Sequence, residues 1–122
     1  MREMKFRAWD LEDDEYIKGA YLDLEGYIYF NGRKLEDGLS TNRLIIEQYI
    51  GQKDKNGREI YEGDIIKRIT KIEIWQFTGK VFFQTDGGIG WSVKARDGRH
   101  GLNSNDDYEV IGNIHENGDL LK

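Results

Sequence analysis

Glu47-Gln48-Tyr49-Ile50-Gly51-Gln52-Lys53-Asp54-Lys55-Asn56-Gly57-Arg58-Glu59-Ile60-Tyr61-Glu62-Gly63-Asp64-Ile65-Ile66-Lys67 is the stretch that decides the fold. A β-branched run precedes it and Gly51 is expected to end that strand. Asp54-Lys55-Asn56-Gly57 then reads as a turn, in which the Asp54 side chain accepts from backbone N–H groups just ahead and Gly57 supplies a left-handed residue. Ile60 and Tyr61 resume apolar contact. Glu62-Gly63-Asp64 is a second corner, with Gly63 at positive φ and Asp64 bonded to local backbone before Ile65 and Ile66 open the next strand. Two glycine corners between short apolar runs are hairpin vocabulary, and the composition agrees: the chain holds 15 Gly and no Pro, so its turns must rely on positive φ rather than on a preset one.

Outward from this stretch the pattern stays β. Residues 5–9 alternate polar and apolar, and residues 16–24 are read as strand because Gly19 weakens a helix and the aromatics suit a sheet. Residues 27–30 and 33–35 flank Asn31-Gly32, the dipeptide of a type I′ hairpin. The acidic run 10–15 is expected in a solvated loop, and residues 36–41 as a connection. Beyond the two corners, residues 65–75 read as one or two strands. Asp86-Gly87-Gly88 turns the chain into a strand with Ile89, Trp91 and Val93 on one face. Residues 96–107 read as a long surface loop, and residues 108–114 as a last strand before a short tail. Short strands at these spacings predict a mainly β fold: a small antiparallel SH3-like barrel in the C-terminal part with an additional N-terminal β region. A β-sandwich is the alternative. The length of 122 residues suits a single domain. Its expected parts are an N-terminal β region over 1–41, a barrel region over 42–117 and a tail over 118–122.

Composition removes whole classes of chemistry. Without cysteine there is no disulfide scaffold, thiolate zinc site or cysteine nucleophile, and with two histidines a metal centre would have to be mostly carboxylate. The acidic run lacks the spacing of a calcium loop, so no metal or other cofactor is expected. No apolar run approaches the roughly 18 residues of a membrane helix, and residues 1–7 lack a secretory apolar segment, so the expected location is the cytoplasm of the cell that makes it, away from membranes. A net charge of −5 opposes non-specific attraction to nucleic acid, which then needs a local basic patch. Lys94, Arg96 and Arg99 near Trp91 are the candidates for one.

For catalysis the available groups are Asp54, Glu59, Glu62 and Asp64, with His100 or His115 as proton carrier. None has the spacing of a recognised catalytic motif, and carboxylates beside glycine serve the backbone, so no catalytic residue is assigned and no enzyme is expected. Trp75, Phe77, Phe82, Phe83 and Trp91 are more aromatic surface than one face of a small barrel hides. A non-catalytic interaction or assembly module is therefore expected, with Trp75, Phe77, Trp91, Arg96 and Arg99 as its candidate surface. Its partners would be a second copy of itself or another protein.

Three groups of residues carry a family resemblance. Gln48-Tyr49-Ile50-Gly51 with residues 53–57 and Ile60-Tyr61-Glu62-Gly63-Asp64-Ile65 form the first. Met4-Lys5-Phe6-Arg7-Ala8-Trp9-Asp10 forms the second, and Glu109-Val110-Ile111-Gly112-Asn113-Ile114-His115-Glu116-Asn117 with Leu120-Leu121 the third. Together they closely resemble the YopX family of phage and prophage proteins. Residues 20–41 and 99–105 match it least. The resemblance implies a mainly β fold with an SH3-like barrel in the C-terminal part, and expression from a phage or integrated prophage, with a phage or host protein as a possible partner class. It brings no accepted catalytic residue. Its motif positions here are Tyr49, Gly51, Asp54, Asn56, Gly57, Ile60, Tyr61, Glu62, Gly63, Asp64, Ile111, Gly112 and Asn113.

Overall fold

The computed structural model describes residues 5–17, 20–22, 28–30, 33–34 and 44–122. The chain divides into two compact units, Met1–Tyr49 and Ile50–Lys122.

In the first unit β1 (Phe6–Asp10) pairs with β2 (Glu15–Ile17) on one side and with β6 (Leu44–Lys53) on the other. β3 (Ala20–Leu22), β4 (Ile28–Phe30) and β5 (Arg33–Lys34) form a small separate sheet. Phe30 opposes Arg33, the register of a two-residue hairpin loop, although Asn31-Gly32 itself and the connection at 36–41 lie outside the described residues. The unit buries Ala8, Trp9, Leu44 and Tyr49. One of its buried polar groups is Glu47, whose Oε1 accepts from Arg7 Nε and from the Tyr16 hydroxyl, each at 2.8 Å. Arg7 also lies over the Tyr16 ring, 4.3 Å from its centroid, and Tyr16 meets Trp9 edge-on at 4.9 Å. An ion pair held this way is satisfied from two sides, which offsets the cost of removing its charges from water.

The acidic run departs from expectation at its first residue. Asp10 is buried, and its Oδ1 accepts the N–H groups of Glu12 at 2.9 Å and Asp13 at 3.3 Å. A carboxylate with two backbone donors stands removal from water, whereas residues 11–15 are exposed as expected.

The second unit takes in the end of β6, then β7 (Glu59–Tyr61), β8 (Asp64–Ile69), β9 (Thr78–Gln84), β10 (Gly90–Ala95), β11 (Gly98–Gly101) and β12 (Asp107–Asn113). Its five-stranded sheet has the order β11-β10-β9-β8-β12. Four consecutive strands form a meander and the last returns beside the first of them, which is the strand order of an SH3-like barrel. The β1–β2, β1–β6, β3–β4, β4–β5, β8–β9, β8–β12, β9–β10 and β10–β11 pairings are all antiparallel, as expected for a hairpin-rich sequence. Ile50, Ile60, Ile66, Val81, Val93, Tyr108 and Val110 make one core cluster. Ile60, Ile66 and Val93 are fully buried, and each such aliphatic side chain contributes about 1.5–3 kcal/mol of transfer free energy.

Three local readings are corrected. β6 runs through Gly51 to Lys53 instead of stopping at the glycine, because the strand remains part of a sheet with β7 as its neighbour. The apolar run 65–75 is strand only to Ile69, and Glu73–Trp75 forms a 3₁₀ turn. The glycine-rich segment 96–107 contains β11, which pairs with β10 from Ser92–Gly101 to Ala95–Gly98. Tertiary pairing there outweighs the low strand propensity of glycine.

A pair of structural corners, an apolar turn and a basic groove

The two glycine corners serve the barrel. Asp54 is buried, its Oδ1 accepting from Asn56 and Arg58 N–H, both at 2.9 Å, and its Oδ2 from Val110 N–H at 3.0 Å. Lys55 N–H adds a bond to the Tyr108 carbonyl at 2.8 Å, so the turn after β6 is stitched to β12 at two points. Burial pushes the Asp54 carboxyl up, but the three backbone donors outweigh it and hold the group below its ordinary value. Asp64 is also buried and accepts the Tyr61 N–H through Oδ2 at 2.8 Å, while Tyr61 donates its hydroxyl to Glu59 at 3.3 Å. Gly57 and Gly63 have φ of 84° and 87°, the left-handed values their turns require. Gly63, beside Glu62, gives its N–H to Val81 and takes that of Ile114, joining the corner to β9 and to the residue after β12.

The closing motif is a third corner. Ile111 is the extra residue of a β-bulge, since Val110 opposes Ile66 and Gly112 opposes Ile65. Asn113 Oδ1 caps His115 and Glu116 N–H at 3.0 and 2.9 Å, and Asn117 Oδ1 returns to Asn113 N–H at 3.1 Å. A Cβ at position 112 would lie 2.5 Å from that Asn117 oxygen, which is why glycine stands there.

The candidate surface residues separate. Phe77 and Trp91 are partly buried against the core cluster, and Phe77 stacks flat on His100 at 4.0 Å. His100 Nε2 contacts Asp97 Oδ1 at 2.9 Å, and that hydrogen bond lowers the Asp97 carboxyl from its ordinary value. Arg99 bonds Asp86 at 2.8 Å, so its charge is already matched. Trp75 is 53% exposed and Arg96 is exposed.

Around Trp75 lies an apolar turn that the strand reading hid. Ile72, Ile74 and Trp75 are all exposed, Ile74 at 86%. The turn is nevertheless well held. Ile72 N–H donates to Thr70 Oγ1 at 3.2 Å, Trp75 N–H to the Ile72 carbonyl at 2.9 Å, and Gln76 Nε2 to the Thr70 carbonyl at 2.9 Å. From below, Arg68 donates to the Trp75 carbonyl at 3.3 Å and to Asp106 at 3.2 Å. Lys71 and Glu73 alternate with the isoleucines, and neither has an ion-pair partner among the described residues.

The second feature is a groove of about 260 Å³ between β9, β10 and the C-terminal 3₁₀ turn Gly118–Leu121, lined by Thr78, Lys80, Lys94, Ala95, Arg96 and Leu121. Lys80 and Lys94 are direct cross-strand partners. Sequence reading named Lys94 and Arg96 but placed them with Trp91, and it passed over Lys80, because the strand register that aligns them cannot be seen before the fold is known. Among the described residues no group of three His, Asp or Glu side chains is arranged to hold a metal ion, and no helix is long and apolar enough to cross a membrane.

Comparison with known proteins gives a consistent placement. A crystal structure of protein EF1440 from Enterococcus faecalis is similar over 100% of both chains, with 28% identity and a TM-score of 0.63. No curated protein matches. The YopX protein family matches residues 5–122, taking in all three corners whose bonding is set out above, and the chain therefore belongs to that family.

Proposed function

We propose that the protein is a non-catalytic assembly module that associates with a second copy of itself through the turn at residues 72–75. The observation that carries this reading is the exposure of Ile72, Ile74 and Trp75 on a turn fixed by hydrogen bonds at both ends. A turn whose backbone is already held in place loses little further backbone freedom on docking, so less of the contact energy is spent on ordering. Self-association is favoured over a foreign partner by the chemistry of the turn. A two-fold contact needs one patch that complements itself. An apolar strip does so without charge matching, and Lys71 and Glu73 on the same turn, which have no ion-pair partner among the described residues, are opposite in sign, so a two-fold can bring each against the other's counterpart.

The non-catalytic part rests on the fate of the carboxylates. Asp54 gives both oxygens, and Asp64 its Oδ2, to backbone N–H groups. The family resemblance supports a phage- or prophage-encoded protein acting in the host cytoplasm.

Light scattering over a wide concentration range tests the reading. The wild-type mass should climb from 14.3 kDa towards twice that value, and Ile74→Asp, which places a charge in the middle of the strip, should hold it at 14.3 kDa. A wild type that stays monomeric throughout, or a variant that associates equally well, overturns the proposal.

A further inference from the structure

The basic groove carries an inference independent of self-association. In this chain acidic residues outnumber basic ones, 23 against 18, and several cations elsewhere are matched. Arg7 pairs with Glu47, Lys55 with Glu109, Arg68 with Asp106 and Arg99 with Asp86. Lys80, Lys94 and Arg96 line one groove and have no ion-pair or hydrogen-bond partner for their side chains among the described residues. Lys80 and Lys94 stand directly opposite each other on β9 and β10, an arrangement of like charges that disfavours the folded sheet. A sequence with acids to spare leaves this repulsion in place, at a concave site where a ligand can sit.

We propose that the groove is a phosphate-binding site. Two ammonium groups from neighbouring strands, with the Arg96 guanidinium beside them, can surround a phosphate, and the Thr78 hydroxyl on the same wall is a further donor. The carboxylate of the C-terminal turn, Asp119, is not among the lining groups. Asp97 lines the adjoining hollow with Gln76, Phe77 and Arg96, and His100 already contacts it. The groove wall has no aromatic side chain, so bases have nothing to stack on, and the ligand is held by its phosphates alone. A nucleic-acid backbone and a small phosphorylated molecule share that chemistry.

Fluorescence anisotropy with a labelled mixed-sequence single-stranded DNA tests the site, with inorganic phosphate as competitor. The starting salt is about 10 mM, where the screening length is about 30 Å. Binding should weaken as salt rises, with a log–log slope of about −2 if three phosphates are neutralised on a single strand. Lys80→Gln/Lys94→Gln/Arg96→Gln should lower the affinity at least tenfold and flatten the slope, while Lys53→Gln, outside the groove, should change neither. Displacement of the DNA by inorganic phosphate at concentrations too low to screen the charges assigns the site to a small phosphorylated ligand. Resistance to that displacement assigns it to a backbone. The single variant Lys94→Gln should also raise the thermal midpoint by relieving the cross-strand repulsion, a readout that needs no ligand. Absence of salt-sensitive DNA binding, or a triple variant that binds as well as wild type, overturns the proposal.

Discussion

Asp54 shows how much of a fold one side chain can hold. Its carboxylate takes three backbone N–H groups, two from its own turn and one from Val110 across the barrel. Asn at this position has one oxygen, so its NH2 group must face one of those donors and leave it unsatisfied. Asp54→Asn should therefore lose about 2–3 kcal/mol in urea unfolding at neutral pH. Acid should narrow the gap. The folded carboxyl lies below its ordinary value of 3.8, so the unfolded state binds the proton more readily. The stability from this group is fully present above the unfolded value and is lost as pH falls through the lower folded value. Unfolding curves for wild type and variant should thus converge below about pH 3.8, and a difference that stays constant down to the acid limit would contradict the assignment. Sequence predicted the local half of this role, because Asp ahead of Asn-Gly is a turn reading. It could not supply Val110, whose N–H is brought there by a strand far along the chain.

At the scale of elements, hairpin vocabulary was legible where turn chemistry is local. Gly57 and Gly63 take the left-handed backbone expected of them, and the strands flanking Asn31-Gly32 pair in the two-residue register. It misled where pairing is non-local: β11 forms from glycine-rich sequence because β10 lies beside it, and the isoleucines after Ile69 leave the sheet for a turn that exposes them. The bulge and corner that end β12 give a test of element-level coupling. Gly112→Ala drives a methyl into the Asn117 side chain, which is held by its bond to Asn113 N–H. The substitution should cost about 1–3 kcal/mol. Asn117→Ala alone forfeits that hydrogen bond, about 1 kcal/mol. In the double variant the collision is gone, so thermal unfolding should show a loss smaller than the sum of the two singles by at least about 0.5 kcal/mol. Strict additivity would mean that Gly112 is required for some reason other than the approach of Asn117.

For the whole molecule, the family was readable from the corners while the groove was not. Corner residues are contiguous in sequence, whereas Lys80, Lys94 and Arg96 meet only through the β9–β10 register and the return of the C-terminal turn. The division into units has its own consequence. Tyr49 takes the Lys5 carbonyl in the first unit, and Ile50, the next residue, belongs to the core cluster of the second. All seven residues of that cluster lie between positions 50 and 110. The hydrogen bonds named above for the Asp54, Asp64 and Asn113 corners join residues of the second unit, and so does the β8–β12 pairing. A fragment of residues 50–122 therefore keeps its core, its five-stranded sheet and those named turn hydrogen bonds, and it should fold alone. The expected result is a cooperative urea transition with dispersed amide resonances, and a Val93→Ala change that lowers its midpoint, because Val93 is fully buried in the cluster. A fragment with collapsed amide dispersion and no cooperative transition would show that the barrel draws essential stability from residues 1–49.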